Sequence, residues 1–270
     1  MLIKERLEAK IPVWRERIRN LVTEKGDTKV GDVTVAQIYG GMRGVRCLVT
    51  DISSVDANEG IRLRGYSIPE LLVQLPKRPG QKTPLVGGLY YLLLIGDIPT
   101  LEEALAVEDE WKQRVEVPTY VHDVLKAMPS DSHPMTLFSQ AILAMQRESV
   151  FARRYLEGMN REDYWEAMLE DSLNLTARAP AIAAYIYHMK HAEAGFMARD
   201  PQKDWAANFR HMMGIQAEEY EDLSRLYFII HSDHESGNVS AHATYLVAST
   251  LSDIYYSASA SMNGLAGPLH

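Results

Sequence analysis

Apolar residues recur at helical spacing along most of the chain. Between residues 3 and 25, Leu7, Ile11, Trp14, Ile18 and Leu21 form one stripe separated by charged positions, which predicts an amphipathic helix. One segment breaks the pattern. In "GVRCLVTDISSVDANEGIRLRGYS", β-branched alternating runs at 45–52 and 61–66 flank a polar stretch ending in Gly60, so a small β-hairpin is expected there. Helix starts follow. Ser67 with Glu70, and Thr100 with Glu103, have capping-box spacing, able to satisfy the orphan N–H groups of a helix N-terminus. Pro134 opens "PMTLFSQAILAMQRES" in a first turn, where its missing N–H costs nothing. A long pattern from Glu162 to about His191 contains Pro180, which predicts a kink or a split. "AEAGFMARDPQKD" reads as a loop, and further helices are expected at about 204–213, 217–232, 238–253 and 256–266. The last three are rich in Ala, Ser and Gly, whose small side chains let helix backbones approach closely in a core or between subunits. The expected fold class is all-α with a small N-terminal β-hairpin.

Composition narrows the functional classes. Of 270 residues, 46% are apolar and 24% charged, which is the balance of a globular chain rather than a disordered one. The net charge of -8 argues against a generic nucleic-acid binder but allows a local basic patch for a small anion. Cys47 is the only cysteine, so an intrachain disulfide and a Cys-rich zinc or iron–sulfur cluster are excluded. The first twenty residues carry Glu5, Glu8 and Glu16 and lack the apolar core of a secretory signal; transit peptides are poor in acids. A cytoplasmic, bacterial-type protein is therefore expected. The charge-free run from Ile254 to Leu269 is short and rich in Ser, Ala and Gly, so no membrane span is expected.

Candidate chemistry concentrates in "HSDHESGNVSAH", residues 231–242. On one continuous helix, His231, His234, Asn238 and His242 would share a stripe able to gather zinc. The metalloprotease order HExxH fails here, because His234-Glu235 is followed by "SGN". Gly237 before Asn238 instead predicts a helix break, with Asn238 capping a new helix. His234 then stands at a junction where backbone groups and imidazole can face an anion, while His231 and His242 read as structural. A second cluster comprises Arg43, Arg46, Arg62 and Arg64. Strand alternation places Arg62 and Arg64 on one face of the hairpin with the other two near its entry, either to hold phosphates or as a solvated face.

The block "HSDHESGNVSAHATYLVASTLSDIYYSASASMNGLAGPLH" resembles the citrate synthases, of the type found in eukaryotic mitochondria and some bacteria. "YGGMRGVRCLVTDISSVDANEGIRLRGYSIPELL", "GLYYLLLIGDIPT", "HPMTLFSQAILAMQRES" and "KDWAANFRHMMG" are similar to that family in the same order, so the resemblance covers essentially the whole chain. It implies condensation of acetyl-CoA with oxaloacetate and hydrolysis of the citryl-CoA thioester, without a metal or bound cofactor, in a homodimer. Carried over by position, His234 resembles the histidine that hydrogen-bonds oxaloacetate. His270 resembles the one that holds the acetyl-CoA thioester oxygen. Asn238 and Ser240 match residues that support this site. Arg43 matches a CoA-phosphate contact and Arg161 another that reaches across the dimer. The resemblance further implies that residues 1–270 are the N-terminal part of a large domain. The catalytic aspartate, another histidine and the carboxylate-clamping arginines are expected beyond His270, together with a small domain, so the 270-residue chain alone is expected not to turn over. The near alternative is a 2-methylcitrate synthase, since one methyl in an apolar pocket gives modest discrimination. The alternative from another class is a catalytically inactive helical dimer module.

Overall fold

The computed structural model describes residues 2–42, 44–45, 48, 50–191, 197–234 and 238–270. It has the expected helical architecture. The first elements are α1 (Leu2–Lys25), α2 (Val35–Tyr39), the strands β1 (Ser53–Asp56), β2 (Gly60–Leu63) and β3 (Tyr66–Ser67), and α3 (Ile68–Gln74). Then come α4 (Val86–Ile95), α5 (Leu101–Arg114), α6 (Thr119–Ala127), α7 (Pro134–Ala144) and α8 (Val150–Leu156). The chain continues with α9 (Tyr164–His191), α10 (Trp205–Met212), α11 (Glu219–Ile230), α12 (Val239–Ala248) and α13 (Ile254–Leu265). Both expected capping boxes form, Ser67 with Glu70 and Thr100 with Glu103, and a third joins Thr34 to Gln37 at α2.

The hairpin is displaced from its expected place. Strands pair as Ser53–Asp56 against Gly60–Leu63, so its first strand lies after the run at 45–52. Turn chemistry sets this register. Asp56 Oδ1 accepts from Asn58 N (2.8 Å) and Glu59 N (3.0 Å), closing a short loop that Gly60 completes at φ 82°. The next turn uses Arg64 and Gly65, at φ 50° and 86°, as a two-residue loop between β2 and β3. Arg62 and Arg64 therefore do not share a strand face. Arg62 pairs with Glu59 at 2.9 Å, whereas Arg64 donates to Leu93 O (2.6 Å) and to Asp51 (2.9 Å). Both are engaged within the fold; Arg43, Arg46 and Cys47 lie outside the described residues.

Helix α4 is the most buried element, with Leu89, Tyr91, Leu92 and Ile95 in the core. Gly87 lets α5 come close, since a Cβ there would lie 2.8 Å from Ala104 O. Glu108 of α5 is buried in the same contact. Its Oε1 accepts from Gly87 N and its Oε2 from Trp205 N, each at 2.9 Å, so one carboxyl caps α4 and α10. Nearby, Asp204 caps α10 and accepts both Arg225 Nε (3.0 Å) and an Arg225 terminal nitrogen (2.7 Å) from α11. Trp111 stands between Tyr90 and Trp205, with ring centroids at 5.2 and 5.3 Å, and Trp205 meets Phe228 at 4.6 Å.

Helix α9 joins two apolar clusters. Leu169, Leu173 and Ala177 pack with α1, α4, α5 and α10, whereas Ile182 and Ile186 pack with α6, α7 and Tyr255 of α13. It does not split at Pro180. The proline withdraws the N–H that Thr176 O would have accepted, and the Trp205 indole N–H takes that place at 2.9 Å. The stripe on α1 outlasts the core: Ile3 and Leu7 are buried and Ile11 and Trp14 pack against them, but Ile18 and Leu21 are 60% and 49% exposed. Residues 26–36 are exposed throughout, and Tyr39 of α2 is 87% exposed.

Helix α13 runs between α12 and α7. Asp253 caps it by accepting Tyr256 N (3.1 Å), and Gln146 donates to the same carboxylate at 2.8 Å. On α7, the Ser139 hydroxyl lies 2.8 Å from Ser259 Oγ and 3.1 Å from Asn263 Oδ1.

Candidate active site

Helix α11 ends at Ile230 and α12 begins at Val239, so the two are separate helices; Gly237, where the break is expected, lies outside the described residues. The stripe of His231, His234, Asn238 and His242 is therefore divided between two helices and their connection. Among the described residues no three His, Cys, Asp or Glu side chains gather as a metal site. His231 ends α11 and folds back on it: its Nδ1 lies 2.9 Å from Tyr227 O and its ring stacks on Tyr227 at 4.2 Å. Tyr227 was not legible as part of this region, although an aromatic four residues before a histidine on one helix is the signal that would reveal it.

Four of the expected site residues form one connected chain. Asn238 caps α12 with Oδ1, accepting Ala241 N at 2.8 Å, and its Nδ2 donates to His234 O at 3.3 Å. The same Oδ1 accepts the Ser240 hydroxyl at 2.6 Å. Ser240 Oγ in turn lies 3.0 Å from His270 Nε2. The main chain of His234, the cap, the first turn of α12 and the imidazole of His270 are thus linked in series, with both histidine residues exposed. Ser240 has a single hydrogen for two neighbours. Turned to Asn238, it leaves its oxygen to accept Nε2–H from His270; turned to His270, it holds the imidazole proton on Nδ1.

Of the two arginines expected to touch CoA, only Arg161 lies among the described residues. Arg43 lies outside the described residues. Arg161 sits exposed at the start of the short turn Arg161–Asp163 before α9, on a different element from the other four. A groove of about 840 Å³ opens elsewhere, between α1 and Leu48, Thr50, Asp51 and Ile52, lined also by Trp14, Ile18, Leu21 and Tyr245. His234, Asn238, Ser240 and His270 do not line it. Among the described residues no helix is long and apolar enough to cross a membrane.

Known proteins resemble the chain at each level of comparison. It is 48% identical over 269 residues to "Citrate synthase, mitochondrial" of Kajikia audax, covering 99% of this chain and 57% of that protein. "Probable citrate synthase, mitochondrial" of Glossina morsitans morsitans is 46% identical, covering 99% of this chain and 58% of its own length. The chain thus spans rather more than half the length of these relatives. Their names also overturn the expectation of a cytoplasmic, bacterial-type protein, which rested on the acids among the first twenty residues. Among solved structures, the citrate synthase of Pyrobaculum aerophilum superposes with a TM-score of 0.76 at 27% identity, over 90% of this chain and 59% of that one. The Thermoplasma acidophilum citrate synthase, solved as a ternary complex with carboxymethyl coenzyme A and oxaloacetate, shares the fold with a TM-score of 0.71 at 22% identity, covering 86% of this chain and 56% of that one. The family model "Citrate synthase, C-terminal domain" matches residues 41–270, the stretch that contains every residue of the His234–His270 chain, and by that match and these relatives the protein belongs to the citrate synthase family.

Proposed function

We propose that the protein is a citrate synthase, an acyltransferase that joins acetyl-CoA to oxaloacetate and releases citrate and CoA, at the entry to the tricarboxylic acid cycle in mitochondria. The observation that carries this reading is the connected chain from His234 through Asn238 and Ser240 to His270, at a helix junction. His234 binds oxaloacetate and His270 holds the thioester oxygen of acetyl-CoA, which enters as substrate rather than as a resident cofactor.

The thioester methyl is a weak carbon acid, and its deprotonation near neutral pH needs a donor aimed at the oxygen that becomes the enolate. Turning the Ser240 hydroxyl from Asn238 Oδ1 to Nε2, at the cost of the 2.6 Å bond to Asn238, would let His270 present Nδ1–H as that donor. Asn238 fixes the first turn of α12, and with it Ser240. By the family resemblance, the base that removes the methyl proton would be supplied from outside residues 1–270. Residues 1–270 are accordingly read as part of the large domain, with Arg43 and Arg161 toward the CoA phosphates. The exposed apolar positions of α12, Val239 at 56% and Leu246 at 65%, support a homodimer formed through its small-residue helices.

The test measures oxaloacetate-dependent release of CoA thiol from acetyl-CoA, alongside the shift in thermal unfolding produced by oxaloacetate. In an active protein, His270→Ala is expected to lower turnover by orders of magnitude while the oxaloacetate shift survives, and His234→Ala to abolish the shift. Binding without release would limit this chain to the substrate-holding part. Faster release from propionyl-CoA would make it a 2-methylcitrate synthase. Neither binding nor release would leave a helical dimer module.

A further inference from the structure

Helix α13 holds a glycine where alanine is the better helix former. Gly264 has no positive φ to justify it and lies one residue before the end of the helix. A Cβ built there falls 3.2 Å from Ser240 Cα, 3.4 Å from Ser240 N and 3.4 Å from Val239 C. These are backbone atoms of the first turn of α12, fixed by the Asn238 cap, and they cannot swing aside like the end of a side chain. Nor can α13 readily step back. Its other side is tied to α7 through Asn263 and Ser259 on Ser139. Gly267, in the same "NGLAGPLH" stretch, differs: its Cβ would meet Gly264 O at 3.5 Å, an ordinary contact.

A methyl at position 264 is therefore resolved at Ser240, one contact away from His270. We infer that Gly264 is a positioning residue for His270. Its missing side chain sets the separation between the first turn of α12 and the segment leading to His270, and so governs whether the 3.0 Å contact between Ser240 Oγ and Nε2 forms. The inference rests on the role proposed for His270 and adds the residue that sets its distance.

The unmodified protein gives the first reading: a nuclear Overhauser contact between Gly264 Hα and Ser240 Hα is expected, and its absence overturns the inference. Next, the imidazole ¹⁵N shifts of His270 are compared in the wild type, Ser240→Ala, Gly264→Ala, their combination and Gly267→Ala. Gly264→Ala should move the Nε2 resonance in the direction that Ser240→Ala does, with no further movement in the combination, and Gly267→Ala should leave it in place. Wild-type His270 shifts in Gly264→Ala would overturn the inference, as would full additivity in the combination. Where thiol release is measurable, Gly264→Ala should lower kcat about tenfold with the oxaloacetate-dependent unfolding shift retained. Loss of both would mark a merely structural glycine. Absence of thiol release in every variant, wild type included, counts against the proposed activity alone and leaves the imidazole comparison to decide on Gly264.

Discussion

Glu108 has each carboxyl oxygen committed to the backbone N–H of a different helix, which is why a carboxyl persists in the core of α5. Burial pushes its pKa from the ordinary 4.5 up to about 7, with Asp204 nearby adding to the rise. The folded chain therefore keeps a proton, between about pH 4.5 and 7, that the unfolded chain has released. The stability this group contributes is complete below that window and declines as pH rises through it. Glu108→Gln removes the titration and sets an amide NH₂ against one backbone N–H, at an expected cost of about 1–3 kcal/mol near pH 5. The penalty should shrink by pH 8. Urea unfolding at both pH values checks this, and an equal penalty at the two would refute the raised pKa. Such a residue was not legible in the sequence, because Gly87 and Trp205 lie far from it along the chain. Ser67 with Glu70, and Asn238 at the head of α12, were legible because their partners lie within three residues. The roles of His234 and His270 came from resemblance, since spacing alone pointed His234 no further than an anion and left His270 an unremarkable terminal residue.

Within elements, Pro180 lies inside a helix that continues past it. The pattern predicted a kink or a split, but α9 does not split, because the Trp205 indole supplies the donor that the proline removes from Thr176 O. A double-mutant cycle isolates this exchange. Trp205→Phe should cost about 1–2 kcal/mol more in the wild type than beside Pro180→Ala, where residue 180 regains an N–H for Thr176 O. A coupling of zero would mean the indole bond contributes nothing. Arg225→Met tests the link between α10 and α11. It leaves the buried Asp204 Oδ2 without the two guanidinium N–H donors it accepts and should destabilise the fold by about 3–5 kcal/mol in equilibrium unfolding. No change would show that Gln81, whose Nε2 also donates to Asp204 Oδ2 at 3.0 Å, and the helix end suffice. The displaced hairpin carries a related lesson: β-branched residues suggested strands at 45–52, but turn chemistry at Asp56, Gly60, Arg64 and Gly65 set the pairing.

Across the whole molecule, the helical class and most of the helices were readable, but α2, α4, α6 and α8 carried no start signal that was read, and which apolar faces meet was not legible. The stripe on α1 looked uniform, yet only its first half reaches the core. The exposed stretch that follows, through residues 26–36, makes a specific prediction: limited trypsin digestion should cut first at Lys25 or Lys29. Raising the protein concentration should slow that cleavage if a second copy covers the stretch. Earlier cutting within the helical core would contradict the packing described here.

The aromatic corner where α5, α10 and α11 meet has an optical consequence. Two of the chain's four tryptophans, Trp111 and Trp205, lie 5.3 Å apart on separate helices, with Tyr90 and Phe228 against them. Indoles held this close in one fixed handed arrangement couple their electronic transitions. Near-ultraviolet circular dichroism should therefore gauge whether α10 has docked on α5, and should fade when that docking loosens even while the helical signal in the far ultraviolet persists.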